Sequence, residues 1–265
     1  MALTGEQAAP RADVSVREIA DLDGLERVDR LFIRIWGANP PVSTGLMRAL
    51  TKAGNYVAGA YTGTELIGAC VAFFGTPADE VLHSHIAGVA PEMAGHGVGL
   101  ALKLHQRAWA LRRGISAIEW TFDPLVSRNA WFNLGKLGAT AAEYLPNFYG
   151  GMRDGINADD ESDRLLVRWK LSAPESAVVR DHHAEPGAVI ALGSSRGVPV
   201  SGSLDGDSLL VAVPRDIEQL RRSDPGLAKE WRAAVRETLG ALLAHGAHVA
   251  GFDKSGWYIV RKDDR

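Results

Sequence analysis

The spacing of apolar residues changes several times along the chain, and each change marks an element. In "DVSVREI" apolar and polar residues alternate, which predicts a strand. In "DLDGLERVDRLFIRIWG" Leu25, Val28, Leu31, Phe32 and Ile35 recur at helical spacing, with Asp21 placed as the N-cap. "VSTGLMRALTKAG" predicts a second, short helix closed by Gly54. "NYVAGAYTGTELIGACVAFFG" reads as two strands around a turn at Gly63, and "VLHSHIAGVA" as another strand. "GVGLALKLHQRAWALRRG" carries Leu100, Leu102, Leu104, Ala108 and Leu111 and ends on Arg112, Arg113 and Gly114, a helix C-terminus. "ISAIEWTFDP" predicts a strand stopped by Pro124, and "SRNAWFNLGKLG" a short helix ending at Gly138. "TAAEYLPNFYG" and "RLLVRWKLS" predict a strand pair.

From Ala173 the composition shifts. "APESAVVRDHHAEPGAVIALGSSRGVPVSGSLDGDS" is rich in Pro, Gly and Ser, lacks strong periodicity, and reads as linker and turns, with His182 and His183 solvated. Beyond it come a strand ("LLVAVP"), a long helix broken at Pro225, and two strands ("HVAGF" and "WYIVRK"). The chain therefore divides into residues 1–172 and an αβ extension over 173–265. About 90 residues make a small core, near the lower edge of independent stability. The extension is expected to dock on the main domain, anchored by Trp231, Trp257 and Tyr258, rather than to hang from a flexible tether.

Composition narrows the class. The chain has 265 residues, 46% hydrophobic and 23% charged, with a formal net charge of −3. No basic field points to nucleic acid. Cys70, the single cysteine, sits in an apolar strand and reads as core, so no disulfide forms within the chain. The first residues lack the order of a secretory signal, and no apolar run approaches a bilayer span. A cytoplasmic protein without a membrane partner is the expectation.

Chemistry concentrates in "VAPEMAGHGVGLAL", where Gly95, Gly97 and Gly99 separate a strand from a helix. Glycines there turn backbone N–H groups toward one anion, helped by the helix N-terminus. No Lys-Ser/Thr pair follows, which excludes a P-loop, and strict alternation does not match G-x-G-x-x-G. A plain tight turn is the alternative.

The surroundings decide between the two. "GVAPEMAGHGVGLALK" resembles the coenzyme A pyrophosphate loop of the GNAT acyltransferases, [Q/R]-x-x-G-x-[G/A] after a strand ending in Val-x-Pro. "SRNAWFNLGKLGA" resembles the family's second signature, an Asn-containing turn and short helix followed by Leu-Gly-Phe. The resemblance spans Val14 to Leu171 and, through "WTFDPL", "NAWFN", "KLG" and "NFYG", extends to a poorly characterised subgroup. It implies an α/β (α+β) GNAT fold, with a mixed central sheet splayed between strands 4 and 5. It also implies an N-acyltransferase that takes acetyl-CoA or another acyl-CoA and transfers its acyl group by direct attack in a ternary complex.

On this resemblance the coenzyme is held by Val89, Ala90, Ala94, Gly95, His96, Gly97, Val98 and Gly99, and by Asn129, Phe132 and Lys136. Asn133 is a further residue able to reach it, and an N-cap is the other reading of Asn129. Ala94 stands where the family has Arg or Gln, which leaves pyrophosphate binding to backbone amides. A catalytic Tyr usually precedes the Gly of Leu-Gly-Phe by four residues; here that position is Leu134, and Ala139 replaces the Phe. A general acid must come from elsewhere, with Tyr149 and Tyr144 as the alternatives, or the thiolate leaves unassisted.

For the base, His83 and His85 are two apart on one strand and share a face, and imidazole titrates near the working pH. His83 falls where the resemblance places the glutamate base of some members. A His-x-His metal site lacks a third ligand in sequence. Asp123, before Pro124, reads as fixing a turn. The acceptor is expected to be a small amine or an amino acid, with N-succinyl transfer to amino acids as a variant. A non-catalytic acyl-CoA sensor or scaffold is the competing class, and the extension could sit beside the acceptor or at a homodimer interface.

Overall fold

The computed structural model describes residues 13–37, 42–76, 80–151, 160–172 and 182–262. The start of the stretch read as linker, from Ala173, lies outside them. The chain is α/β and folds as two units, Met1–Ser116 and Ala117–Arg265.

In the first unit β1 (Ser15–Glu18), β2 (Tyr56–Thr62), β3 (Glu65–Phe74) and β4 (Val81–Val89) pair antiparallel in that order. Helix α1 (Leu22–Trp36) starts where its sequence signal lies, with the Asp21 carboxylate accepting from the Gly24 N–H at 2.8 Å. Together with α2 (Thr44–Lys52), it buries Leu25, Val28, Phe32 and Met47 against Val57, Ala69, Val71 and Ile86. Because a strand alternates, Gly68 and Cys70 face the other way, toward α3 (Val98–Leu111). A Cβ on Gly68 would come within 2.9 Å of Val98, so the glycine sets how closely α3 lies on the sheet.

The buried face of α3 differs from the predicted stripe. Val98, Leu102, Gln106 and Trp109 are buried along with Lys103 and Ala110, while Leu111 is exposed. Positions 98, 102, 106 and 109 follow the helical period toward the sheet, and the leucines at 100, 104 and 111 are rotated off it.

In the second unit β5 (Ala117–Phe122), β7 (Arg164–Lys170) and β6 (Thr140–Leu145) pair antiparallel in the order β5-β7-β6. Helix α4 (Ser127–Ala130) runs on into a π-turn, Trp131–Lys136. A second sheet has the order β11-β12-β10-β8-β9. Its strands are β8 (Val189–Ser195), β9 (Val198–Ser201), β10 (Ser208–Ala212), β11 (His248–Asp253) and β12 (Trp257–Arg261). Only the β8–β10 pairing is parallel. The stretch read as linker thus contains β8 and β9. Arg196 and Gly197, both at positive φ, form the two-residue turn between Ser195 and Val198, a hairpin connection hidden in "SSRGV". His182 is half-buried, its ring packed where a Gly251 Cβ would stand, while His183 is exposed as expected.

Helices α5 (Ile217–Ser223) and α6 (Pro225–Val235) break at Pro225, where Asp224 caps the Leu227 N–H at 3.0 Å. They bring Arg221 and Arg232 into this unit's interior. Asp123 accepts from Arg232 Nη1 and Nη2 at 2.8 and 2.9 Å and from Arg221 Nη2 at 2.5 Å. Asp160 accepts from Arg221 Nε at 3.1 Å and Arg232 Nη2 at 3.0 Å. Asp123 also fixes its turn, accepting from the Leu125 N–H at 2.9 Å. Nearby, the Tyr258 hydroxyl donates to the Pro124 carbonyl at 2.8 Å. Trp231 is buried and donates to the Gly197 carbonyl at 2.9 Å, while Trp257 is half-buried.

Burial alone would push the Asp123 carboxyl up; Arg232 and Arg221 more than offset it and hold it well below the usual carboxylate range. A depressed folded value contributes stability above the unfolded carboxylate pKa, and that stability is lost as pH falls toward the folded value. At neutral pH it is fully present. Asp123→Asn leaves two buried guanidinium groups to share Asp160, and removing one partner of a buried pair costs about 3–5 kcal/mol. Urea denaturation at pH 7 should show a loss of that order, and a loss below about 1 kcal/mol, the range of exposed pairs, would contradict the account.

Candidate functional site

The site in the first unit is built on β4. In its pairing with β3, Phe73 lies opposite His83, Ala72 opposite Ser84 and Val71 opposite Ile86, which leaves His85 as the extra residue of a bulge. The three aromatic rings gather on one face, with centroids 5.0 Å apart for Phe73–His83, 5.8 Å for Phe73–His85 and 6.1 Å for His83–His85. Phe73 continues the Ala69–Val71 alternation, so this is the face that α1 and α2 cover. Near its end, Gly88 admits α1 closely, because a Cβ there would stand 2.5 Å from Trp36.

Both imidazoles are half-buried and titrate below the ordinary 6.5. For His83 burial acts first, then the charges of His85 and Lys103; for His85 burial alone is the cause. Each is therefore neutral at pH 7 and free to accept a proton.

After β4 the chain passes half-buried Val89 and buried Ala90 into a 3-10 turn, Pro91–Met93. Ala94 is exposed and its N–H donates to the Pro91 carbonyl at 3.2 Å, while His96 Nδ1 lies 3.0 Å from the Ala94 carbonyl. Gly95 and Gly97 follow at φ of +82° and +83°, with open space where a Cβ would be. Gly97 is the N-cap of α3 and has no side chain to offer, so the N–H groups of Val98, Gly99 and Leu100 have no capping partner from it. The first turn of α3 carries no acidic residue. Such a terminus fits a phosphate or pyrophosphate, whose oxygens would accept from those amides.

The second unit carries the remaining candidates. Asn129 lies inside α4, whose N-cap is Val126, so the capping reading does not hold. Phe132 and Lys136 are half-buried in the π-turn. Asn133 is buried and accepts from Trp120 Nε1 at 3.1 Å, an interior role rather than a coenzyme contact. Leu134, at the family's tyrosine position, is buried. Tyr149 is exposed, its hydroxyl 3.1 Å from Thr121 Oγ1 and its ring centroid 5.4 Å from the Arg164 guanidinium. Tyr144 is buried and donates to Asp163 at 2.6 Å; burial first and Asp163 second push its hydroxyl far above the usual value. That makes it an interior donor rather than a proton source.

One group escaped the sequence reading. Behind β4, Lys103 Nζ donates to Ser84 Oγ at 2.8 Å and to Gln106 Oε1 at 3.3 Å, and Gln106 Nε2 lies 3.2 Å from Cys70 Sγ. Burial pushes Lys103 down to about 8 and Cys70 up. The helical spacing from Val98 and Leu102 could have flagged position 106 as inward, and position 103 only through its separation of three from 106. Among the described residues no group of His, Cys, Asp and Glu is placed to hold a metal ion, and no helix is long and apolar enough to cross a membrane.

No protein-family model matches the chain. No curated protein matches it either. Solved structures do. The ribosomal-protein-S18-alanine N-acetyltransferase from Escherichia coli is 14% identical, over 61% of this chain and 96% of that one, with a TM-score of 0.50. An N-acetyltransferase from Staphylococcus aureus Mu50 is 14% identical, over 60% of this chain and 99% of that one, with a TM-score of 0.51. The likeness is one of fold: the chain has the GNAT acetyltransferase fold.

An imidazole titration followed by NMR should place the midpoints of both His83 and His85 below 6.5. A midpoint at or above that value for either would contradict the packing of the pair.

Proposed function

We infer that the protein is a coenzyme A-dependent N-acyltransferase, with acetyl-CoA as the donor and a small amine or amino acid as the acceptor. The observation that carries this reading is the pairing, on one strand and its exit loop, of two neutral imidazoles with an uncapped helix N-terminus set by Gly95 and Gly97. The GNAT fold agrees with it.

In this reading the amides of Gly95 and of Gly97 to Leu100 hold the coenzyme's pyrophosphate, with Val89 and Ala90 alongside the pantetheine arm. Acyl-CoA supplies a thioester, whose carbonyl carbon is open to a neutral amine. His83 takes the proton that the attacking nitrogen must shed, with His85 beside it as the second acceptor. Proximity of the two reactants supplies much of the remaining acceleration. Asn129, Phe132 and Lys136 as coenzyme contacts, and Tyr149 as proton donor to the departing thiolate, rest on the family resemblance together with their exposed or half-buried placement. N-succinyl transfer remains a variant of the same chemistry.

A second reading, a non-catalytic acyl-CoA-binding module, is favoured by one feature: Leu134 is apolar and buried where the family places its acid. Binding without transfer to any of a pool of amines between pH 6 and 9 would decide for it.

Two experiments test the enzyme reading. Acetyl-CoA or free CoA should raise the melting temperature saturably while NAD and ATP do not, because a ligand that binds only the folded state stabilises by mass action. No shift at millimolar CoA would overturn coenzyme binding. His83→Ala should lower kcat/KM by roughly 10²–10⁴-fold at pH 7, with recovery at high pH where the amine deprotonates unaided. Full activity of that variant at pH 7 would move the role to His85 or water.

A further inference from the structure

We propose that Lys103, pinned to Ser84 behind β4, is a positioning residue for His83, setting both the strand geometry and the local charge against which that imidazole works. The inference rests on the reading of His83 as the base. Ser84 is the residue between the two histidines, and its side chain points through to the opposite face of the sheet, where α3 lies. Lys103 reaches it at 2.8 Å. The bond thus ties α3 to β4 at the bulge that gathers His83, His85 and Phe73.

A lysine is a costly way to make such a tie. Its ammonium is buried, and Ser84 and Gln106, to which it donates, are neutral side chains. A methionine would fill the same space without desolvating a charge. The retained charge has an electrostatic consequence instead. Lys103 holds its proton up to about pH 8, so it is cationic across the range in which His83 would otherwise protonate. A positive charge behind the strand disfavours a second one on the imidazole.

The other groups around His83 leave this effect legible. His85 acts from its own strand, and Cys70 on β3 lies on the Lys103 side, its thiol held protonated by burial. From α1, Ile35 and Trp36 approach β4 at Gly88, and Arg34 pairs with Glu92 at 3.3 Å. Burial lowers His85, and its repulsion with His83 is mutual, so both midpoints are followed together.

The test is an NMR titration of both imidazoles in the full chain, comparing the wild type with Lys103→Met and with Lys103→Gln, which keeps a donor for Ser84. In both variants the His83 midpoint should move up. The acid limb of the kcat/KM profile should move up with His83. Unchanged His83 midpoints in the folded variants would overturn the proposal. If neither neutral variant folds, Lys103 is a folding residue and the proposal falls. An upward His83 shift in a protein whose His83→Ala variant keeps full activity would uphold the electrostatic tie and reject His83 as the base.

Discussion

The first unit depends on a backbone constraint at Gly97. To pass from the end of β4 into α3 the chain takes a left-handed conformation at Gly95 and again at Gly97, the residue that opens the helix. An L side chain there would be strained by about 1–2 kcal/mol. A residue such as Ser or Asp would supply the usual cap and occupy the first amides of α3. Glycine does neither. Those donors are left to an external anion, and the helix is aimed so that Val98 and Leu102 settle over Gly68. The same helix then delivers Lys103 to Ser84. One turn thus links the proposed coenzyme loop to the strand that carries the proposed base.

A second constraint governs the other unit. Asp123 sits where β5 ends, and two arginines from α5 and α6 converge on it and on Asp160. With the Tyr258 hydroxyl on the Pro124 carbonyl, residues from the last third of the chain surround the turn after β5. The sequence reading separates these segments at residue 173; their contacts fall within a single unit that begins at Ala117. Burying four charged side chains together gives modest net stability, because desolvation offsets most of the attraction.

Local signals were readable in the sequence wherever one residue determines one feature. Asp21 marks the start of α1, Pro225 breaks the late helix, and the glycines announce the turn before α3. The histidine pair was visible as well, because a separation of two on a strand means a shared face; the bulge that brings His85 into line was not. Features set by distant partners stayed hidden. Lys103 and Gln106 look like solvated positions on an apolar helix until Ser84 and Cys70 are placed opposite them. β8 and β9 looked like linker, since Gly and Ser dilute their apolar residues and β10, the strand that pairs with β8, follows later in the chain. Arg221 and Arg232 carried no hint of burial, because Asp123 is about a hundred residues away.

The central claim is that the α3 terminus is the coenzyme's phosphate seat. Backbone amide shifts, recorded by NMR while acetyl-CoA is added to the full chain, test it most directly. The account predicts saturable changes at Gly95, Gly97, Val98 and Gly99 that are larger than those elsewhere in the first unit. They should be reproduced by free CoA. Binding that leaves these amides unmoved, or shifts centred on another element, would contradict it.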